Sequence, residues 1–343
     1  LSLSDLIRKK EEIMKKIVFK ILSIVIIISS VSFPQLYYNH DPLAHTFSIV
    51  ARDPDTGEMG VAVQSHWFSV GTIVTWAEAG VGAIATQSFV NVSFGPRGLE
   101  MLKKGMTAQE VVDSLLASDE GREFRQLAII DSKENAASFT GKKCVQPAGN
   151  IVGDNFSCQA NLMINDKVWP AMADAFKDTK GPLAERMMAA LEAGQKAGGD
   201  IRGKQSAAML VVRGKSTGKV WKDRLIDLRV DDSPEPIKEL KRLLKVHRAY
   251  DHMNAGDLAV EKGDMKLALK EYSTAEKMFP DNAEMKYWHA VTLANNGKVD
   301  EALPIFREVF NMNENWRVLT PRLISPGLLT VDKKELKRIM EIK

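Results

Sequence analysis

The sequence predicts an α+β sandwich followed by an all-α helical-repeat domain, and three observations carry that expectation. From Thr46 the chain alternates short period-two or apolar runs with turns marked by Gly and Pro. At residues 97–118 and again at 168–197 the spacing of apolar residues becomes helical. From about Ser233 onward the pattern is helical throughout, and a period of 34 residues emerges.

In chain order, the first feature is a leader. "MKKIVFKILSIVIIISSVSF" from Met14 has a basic start, an apolar run from Ile21 to Ile28, then small residues. That is the pattern of a secretory signal, and the run is short beside the roughly 20 apolar residues that a membrane-spanning helix needs. An uncleaved signal anchor is the alternative. Cleavage is expected after Ser30-Val31-Ser32, and residues 1–45 are assigned to signal and leader. The location expected is therefore periplasmic or extracellular.

Next, "TFSIVAR" and "MGVAVQS" read as strands joined by "DPDTGE", a hairpin turn. "GTIVTW" and "GVGAIATQSFV" read as further strands. Thr107 and Glu110 form a capping-box signature ahead of "VVDSLL". Strands follow in "RQLAIID", "AASFTG" and "FSCQANLM", then helices in "VWPAMADAFKD" and "PLAERMMAALEAGQKA", then strands in "SAAMLVVR" and "LIDLRV". Two β layers flanked by helices, spanning residues 46–232, are the expected arrangement. "SPEPIKELKRLLKVHRAYD" opens with Pro-marked turns and is assigned to a bridging helix over 233–248.

Residues 249–282 and 283–316 align without a gap, so that Gly263 meets Gly297, Ala268 meets Ala302, and Tyr272 meets Phe306. Small residues let antiparallel helices approach, and the aromatic fills the space between them. The pattern resembles the tetratricopeptide repeat, with Gly256, Ala268, Tyr272, Ala275 and Pro280 at its preferred positions. The second copy carries Ala290, Val309 and Glu314 at the corresponding places. Two repeats fall short of the three that a stable stack usually needs, so the pair is expected to lean on the bridging helix, the first domain or the extension at 317–343. The resemblance implies a protein partner.

Composition narrows the functional classes. The chain has 343 residues, 45% hydrophobic and 27% charged, with a formal net charge of +3. The first twenty residues hold six basic and three acidic side chains, which leaves 41 of each sign in the remainder. A neutral body offers no electrostatic footprint for nucleic acid. Six scattered histidines and no metal-ligand spacing leave a metal or other cofactor without support. The two cysteines, Cys144 and Cys158, are a disulfide candidate in an exported chain, where closing such a loop contributes about 3 kcal/mol; two buried thiols are the alternative.

No nucleophile elbow, P-loop or dinucleotide fingerprint is present. What stands out are polar residues at strand ends: Gln64, Ser65 and His66; Gln87, Ser88 and Asn91; Gln159 and Asn161; Asp200, Arg202, Gln205 and Ser206. Buried polar groups need partners, and clusters of them line sites. Each also has a plainer reading: His66 as a structural histidine, Asn91 as a turn residue, Asp200 and Arg202 as a solvated loop.

The strings "TFSIVARDPDTGEMGVAVQSHWFSVG", "GVGAIATQSFVNVSFGPRGLEML", "GNIVGDNFSCQANLM" and "GGDIRGKQSAAMLVV" resemble the bacterial family called domain of unknown function 1028, across about residues 46–235. That family is placed among the N-terminal nucleophile (Ntn) hydrolases. The resemblance implies a four-layer αββα sandwich and hydrolysis of an amide in a small-molecule or peptide substrate. It makes Thr46 the nucleophile, activated by its own α-amino group, with Gln87, Ser88 and Asn91 as candidate oxyanion donors. His66, Asp200 and Arg202 would orient substrate or tune the amine, and Ser65 and Ser206 complete the candidate substrate-binding set. This chemistry requires a second cut, at the His45–Thr46 bond. The competing expectation is a non-catalytic periplasmic binding or scaffold protein that uses the same sandwich and repeats; a cell-wall assembly factor is a third.

Overall fold

The computed structural model describes residues 43–342; the expected signal segment and its cleavage point lie outside them. Strand pairing is antiparallel throughout. The strands are β1 (Leu43–Ala44), β2 (Thr46–Arg52), β3 (Met59–Ser65), β4 (Thr75–Glu78), β5 (Gly82–Phe89), β6 (Arg125–Asp131), β7 (Ala136–Thr140), β8 (Gly149–Gly153), β9 (Phe156–Ala160), β10 (Ser206–Val212) and β11 (Arg224–Val230). One sheet has six strands in the order β11-β10-β3-β2-β9-β8. The other runs β5-β6-β7, and its β5 edge is shared: β4 pairs with Gly82–Ala85 and β1 with Ser88–Phe89.

Period-two alternation divides the core. Val50, Val61, Val63, Ala208 and Leu210 meet Ala83, Ala85, Ala128 and Ile130 between the sheets. The alternate residues of the same strands, Phe47, Ile49, Ala62, Met209 and Val211, pack on helices α3 (Val168–Asp178) and α4 (Leu183–Lys196). Ile84, Leu127 and Ile129 on the far face of the second sheet pack on α1 (Phe94–Lys103) and α2 (Ala108–Ala117). The capping box at Thr107 forms, with Glu110 returning to the Thr107 backbone at 2.7 Å. After the short α5 (Val220–Asp223) and β11, the rest is helical: α6 (Pro236–Glu261), α7 (Met265–Met278), α8 (Ala283–Asn295), α9 (Val299–Met312), α10 (Asn315–Leu319), a 3₁₀ turn (Thr320–Leu323) and α11 (Lys333–Met340).

Positions paired by the 34-residue period share their burial and turn geometry. Ala268 and Ala302 are fully buried, as are Tyr272 and Phe306 within 2%. A Cβ on Gly256 would lie 2.7 Å from the Tyr272 ring, so that crossing demands glycine. Gly263 and Gly297 both adopt φ +73° in the turns after α6 and α8.

Four expectations change. "GTIVTW" is not one strand: Val70–Thr72 is a 3₁₀ turn and only Thr75–Glu78 is extended. A Cβ on Gly71 would sit 2.5 Å from the Ala208 Cβ, and Ser206 accepts the Val70 amide, so the chain is pinned against β10 there. "GNIVG", absent from the strands expected above, is β8, the edge partner of β9. The bridging helix does not stop near 248; α6 runs 26 residues, with Ile237, Leu240 and Leu244 in the sandwich core and Ala249, Met253 and Ala259 in a helical core.

The disulfide is absent as well: Cys144 and Cys158 are free, buried thiols. Cys158 points from β9 into the core shared with α3 and α4, whereas the Cys144 thiol donates to the Arg125 carbonyl of the other sheet at 3.3 Å. Burial raises both thiol pKa values, so neither is a ready thiolate.

Candidate functional site

The layer between the sheets is apolar at one end and polar at the other. On β2 the inward positions run Thr46, Ser48, Val50, and the first two meet amides from three other strands. Ser48 Oγ donates to Gln87 Oε1 at 2.6 Å and accepts from Gln159 Nε2 at 2.5 Å. Gln87 Nε2 donates to Gln126 Oε1 at 2.7 Å and to the Thr46 carbonyl at 3.2 Å. Asn161 Nδ2 reaches the same Gln126 oxygen at 2.8 Å, and Gln126 Nε2 donates to the Ala160 carbonyl at 2.9 Å and to Thr140 Oγ1 at 2.8 Å. All four amide side chains are fully buried. A satisfied network of this kind fixes the sheets in register and holds the Thr46 backbone rigidly.

Above this floor lies the junction of β1 and β2. Thr46 is fully buried, pairs with Ser65 across β2–β3, and donates its hydroxyl to the Ala44 carbonyl at 2.7 Å. The His45 carbonyl, on the other side of the Thr46 nitrogen, accepts from Ser65 Oγ at 2.6 Å and from Arg202 Nη2 at 2.8 Å. Arg202 is held in turn by Asp200, which accepts from its Nη2 at 2.7 Å and its Nε at 3.0 Å. A hydroxyl one residue after a peptide carbonyl that carries two donors on its oxygen has groups of the kind that acyl transfer uses. The His45 ring is enclosed, with Nδ1 2.7 Å from Asn161 Oδ1 and Phe89 meeting it edge-on at 5.8 Å. Burial holds its pKa below the usual imidazole value of 6.5.

The structure therefore gathers Thr46, Ser65, Gln87, Asp200 and Arg202 at one point. Ser88 is adjacent, at φ 74° on β5, opposite Ala44. His66 contributes its backbone amide, which donates to Asp200 Oδ2 at 3.2 Å, while its buried Nδ1 has no partner. Two candidates are elsewhere. Ser206 Oγ donates to the Trp67 carbonyl and accepts from Val70, tying β10 to the loop after β3. Asn91 caps the turn into α1 through Ser93 and reaches Asp119 at 3.4 Å; Asp119 pairs with Arg125, whose Nη1 donates to the Phe89 carbonyl at 2.7 Å. Asn91 thus shapes the end of β5 instead of facing the Thr46 group.

Sequence reasoning missed His45, Ser48, Gln126 and Arg125. Ser48 and Gln126 carried a signal, since each is a polar residue at an inward position of an otherwise apolar strand. Among the described residues no cluster of ligating side chains is arranged for a metal, and no helix is long and apolar enough to cross a membrane.

A family model described as "Family of unknown function (DUF1028)" matches residues 46–240. The chain belongs to this family. The crystal structure of protein SPO2555 from Silicibacter pomeroyi, also assigned to DUF1028, is 32% identical with a TM-score of 0.54, covering 59% of this chain and 85% of that one. No curated protein matches. The DUF1028 match begins at Thr46 itself and takes in every residue that the structure gathers around it except His45 and the β1 strand.

Proposed function

We propose that this DUF1028 member is an exported amidohydrolase of the N-terminal nucleophile type, with Thr46 as the nucleophile. The sheets and helices are read as its four-layer αββα sandwich, and the helical region as a tetratricopeptide-like module that recruits a protein partner. The observation that carries the reading is that the His45 carbonyl, bonded to the Thr46 nitrogen, accepts from both Ser65 and Arg202.

The chemistry has two stages. In the first, Thr46 Oγ adds to the His45 carbonyl carbon through a five-membered ring, and the negative charge on oxygen falls between Ser65 and Arg202. The C–N bond breaks, the threonine proton ends on the departing nitrogen, and an ester links His45 to Thr46. Water hydrolyses that ester and leaves a His45 carboxylate and a free Thr46 amine. In the second stage that amine, with a pKa of about 7.7–8.0 against about 10.4 for lysine, takes the Thr46 proton when an external amide is attacked. The buried amide network supports both stages by fixing the Thr46 carbonyl.

Intact mass and N-terminal sequencing of protein purified from its host test this reading. The expected start is Thr46; Thr46→Ala should leave the His45–Thr46 bond whole and abolish amidase activity, and Thr46→Ser should retain part of it. Amidase activity from chains in which Thr46 is still peptide-bonded would overturn it.

A binding module has separate support. A cavity of about 470 Å³ on α7, α8 and α9 is lined by Lys266, Lys270 and a Lys298 paired with Glu301, beside Leu269, Leu293 and Ile305, a surface suited to a partly apolar peptide.

A further inference from the structure

We infer that the leader strand Leu43–His45 occupies the acyl side of the active site as a substrate would, and that the substrate is an extended peptide. It would pair with the end of β5, with a small residue second before the scissile bond and a planar hydrogen-bonding ring immediately before it. This rests on the reading of Thr46 as nucleophile, and it adds the class and side-chain preference of what Thr46 attacks.

The recognition is built from backbone first. Leu43 and Ala44 pair antiparallel with Phe89 and Ser88, extending the edge of β5 beyond the point where β4 has left it. An unpaired strand end next to a nucleophile is a template for an incoming chain, whose main-chain hydrogen bonds supply affinity while side-chain pockets supply selectivity. The β5 end is made rigid for this purpose: Arg125 holds the Phe89 carbonyl, and Asp119 holds Arg125. The His45 amide donates back to the Leu43 carbonyl at 3.0 Å, a tight bend that swings the His45 carbonyl onto Ser65 and Arg202.

The three side chains are accommodated unequally. Ala44 is fully buried and adds to the apolar core between the sheets, so nothing larger fits without displacing it. His45 is 6% exposed, between the Phe89 ring and the Asn161 amide. Leu43 is 41% exposed and sets no demand. A small-molecule amide would use the carbonyl donors but leave the β5 edge and the Ala44 position empty. After hydrolysis the acid product would place its carboxylate on Arg202, which makes the released leader an inhibitor of its own enzyme.

The test has two arms. In the uncleavable full chain carrying Thr46→Ala, hydrogen exchange should show protected amides at Ser88–Val90. Adding Ala44→Trp should remove that protection, whereas Leu43→Ser should not. In protein that has processed itself, acetyl-Pro-Leu-Ala-His as the free acid should restore the protection and compete with turnover. The corresponding anilide should be hydrolysed at least tenfold faster than its Ala→Trp or His→Ala analogues. Equal rates for the three anilides, or protection indifferent to Ala44→Trp, would overturn the inference while a Thr46 start leaves the nucleophile in place. Protection that follows the expected pattern in chains that never start at Thr46 would retain the docking geometry and remove the Thr46 mechanism.

Discussion

At the scale of the residue, the His45 carbonyl is where this molecule concentrates its polar resources. Ser65 and Arg202 donate to one oxygen, and Asp200 spends both of its own oxygens on keeping Arg202 in place. Deleting one such donor typically slows acyl transfer by about 10²–10³-fold. Ser65→Ala should therefore slow His45–Thr46 cleavage by about that factor, read as the half-life of the uncut band. Arg202→Lys should be slowed too, since a single ammonium cannot both pair in two places with Asp200 and reach the carbonyl. His45 adds a pH dependence. Burial depresses its pKa below 6.5, so the undocked leader takes up a proton that the docked one resists. The docking energy is complete above the undocked value and falls as the pH drops through it toward the docked one. Protection of Ser88–Val90 should be weaker at pH about 5.5 than at about 7.5 in the Thr46→Ala chain, and His45→Gln should flatten that dependence.

At the scale of the element, the amide network behaves as a crossbeam between the sheets. Gln126 on β6 serves Gln87, Asn161, Ala160 and Thr140 at once. Gln126→Ala should cost about 1–3 kcal/mol for each group left unpaired, visible as a lowered denaturation midpoint, and should also slow cleavage by loosening the Thr46 backbone. Much of this was legible beforehand. Alternation along "TFSIVAR" and "MGVAVQS" was enough to place Thr46 and Ser65 at strand ends, and those ends prove to be directly paired. Asn91 was not legible, because an asparagine before a helix looks the same whether it caps the turn or faces a ligand. The cysteine spacing was equally mute, since it does not say that one thiol faces α3 and α4 while the other meets the opposite sheet. "GNIVG" concealed a strand because glycines bound it on both sides, and only its pairing with β9 makes it extended. His45 was hidden by being counted as leader, although its ring is buried against Phe89 and Asn161.

At the scale of the whole molecule, α6 joins two cores that share no other element among the described residues. Its first half is tied to α4 by Lys241–Glu192 and Arg248–Glu185, and its second half accepts Tyr272 against Gly256. A chain ending at 248 keeps Ile237, Leu240 and Leu244, so we propose that residues 46–248 remain folded; loss of cooperative unfolding in that fragment would place the helical region inside the sandwich's stability. The continuity of α6 also has a directional meaning. A helix turns about 100° and advances about 1.5 Å with each residue, so 26 residues make a rod of about 39 Å with a fixed azimuth at each end. Whatever the helical region holds is thereby aimed at the sandwich on one compass bearing. Two alanines inserted after Arg248 should swing that bearing by about 200°, and four should bring it back to within about 40° of the original, with both cores intact in each case. Small-angle scattering should then separate the two-residue insertion from the parent far more than the four-residue one, and any activity that depends on a captured partner should follow the same rhythm of the helical turn.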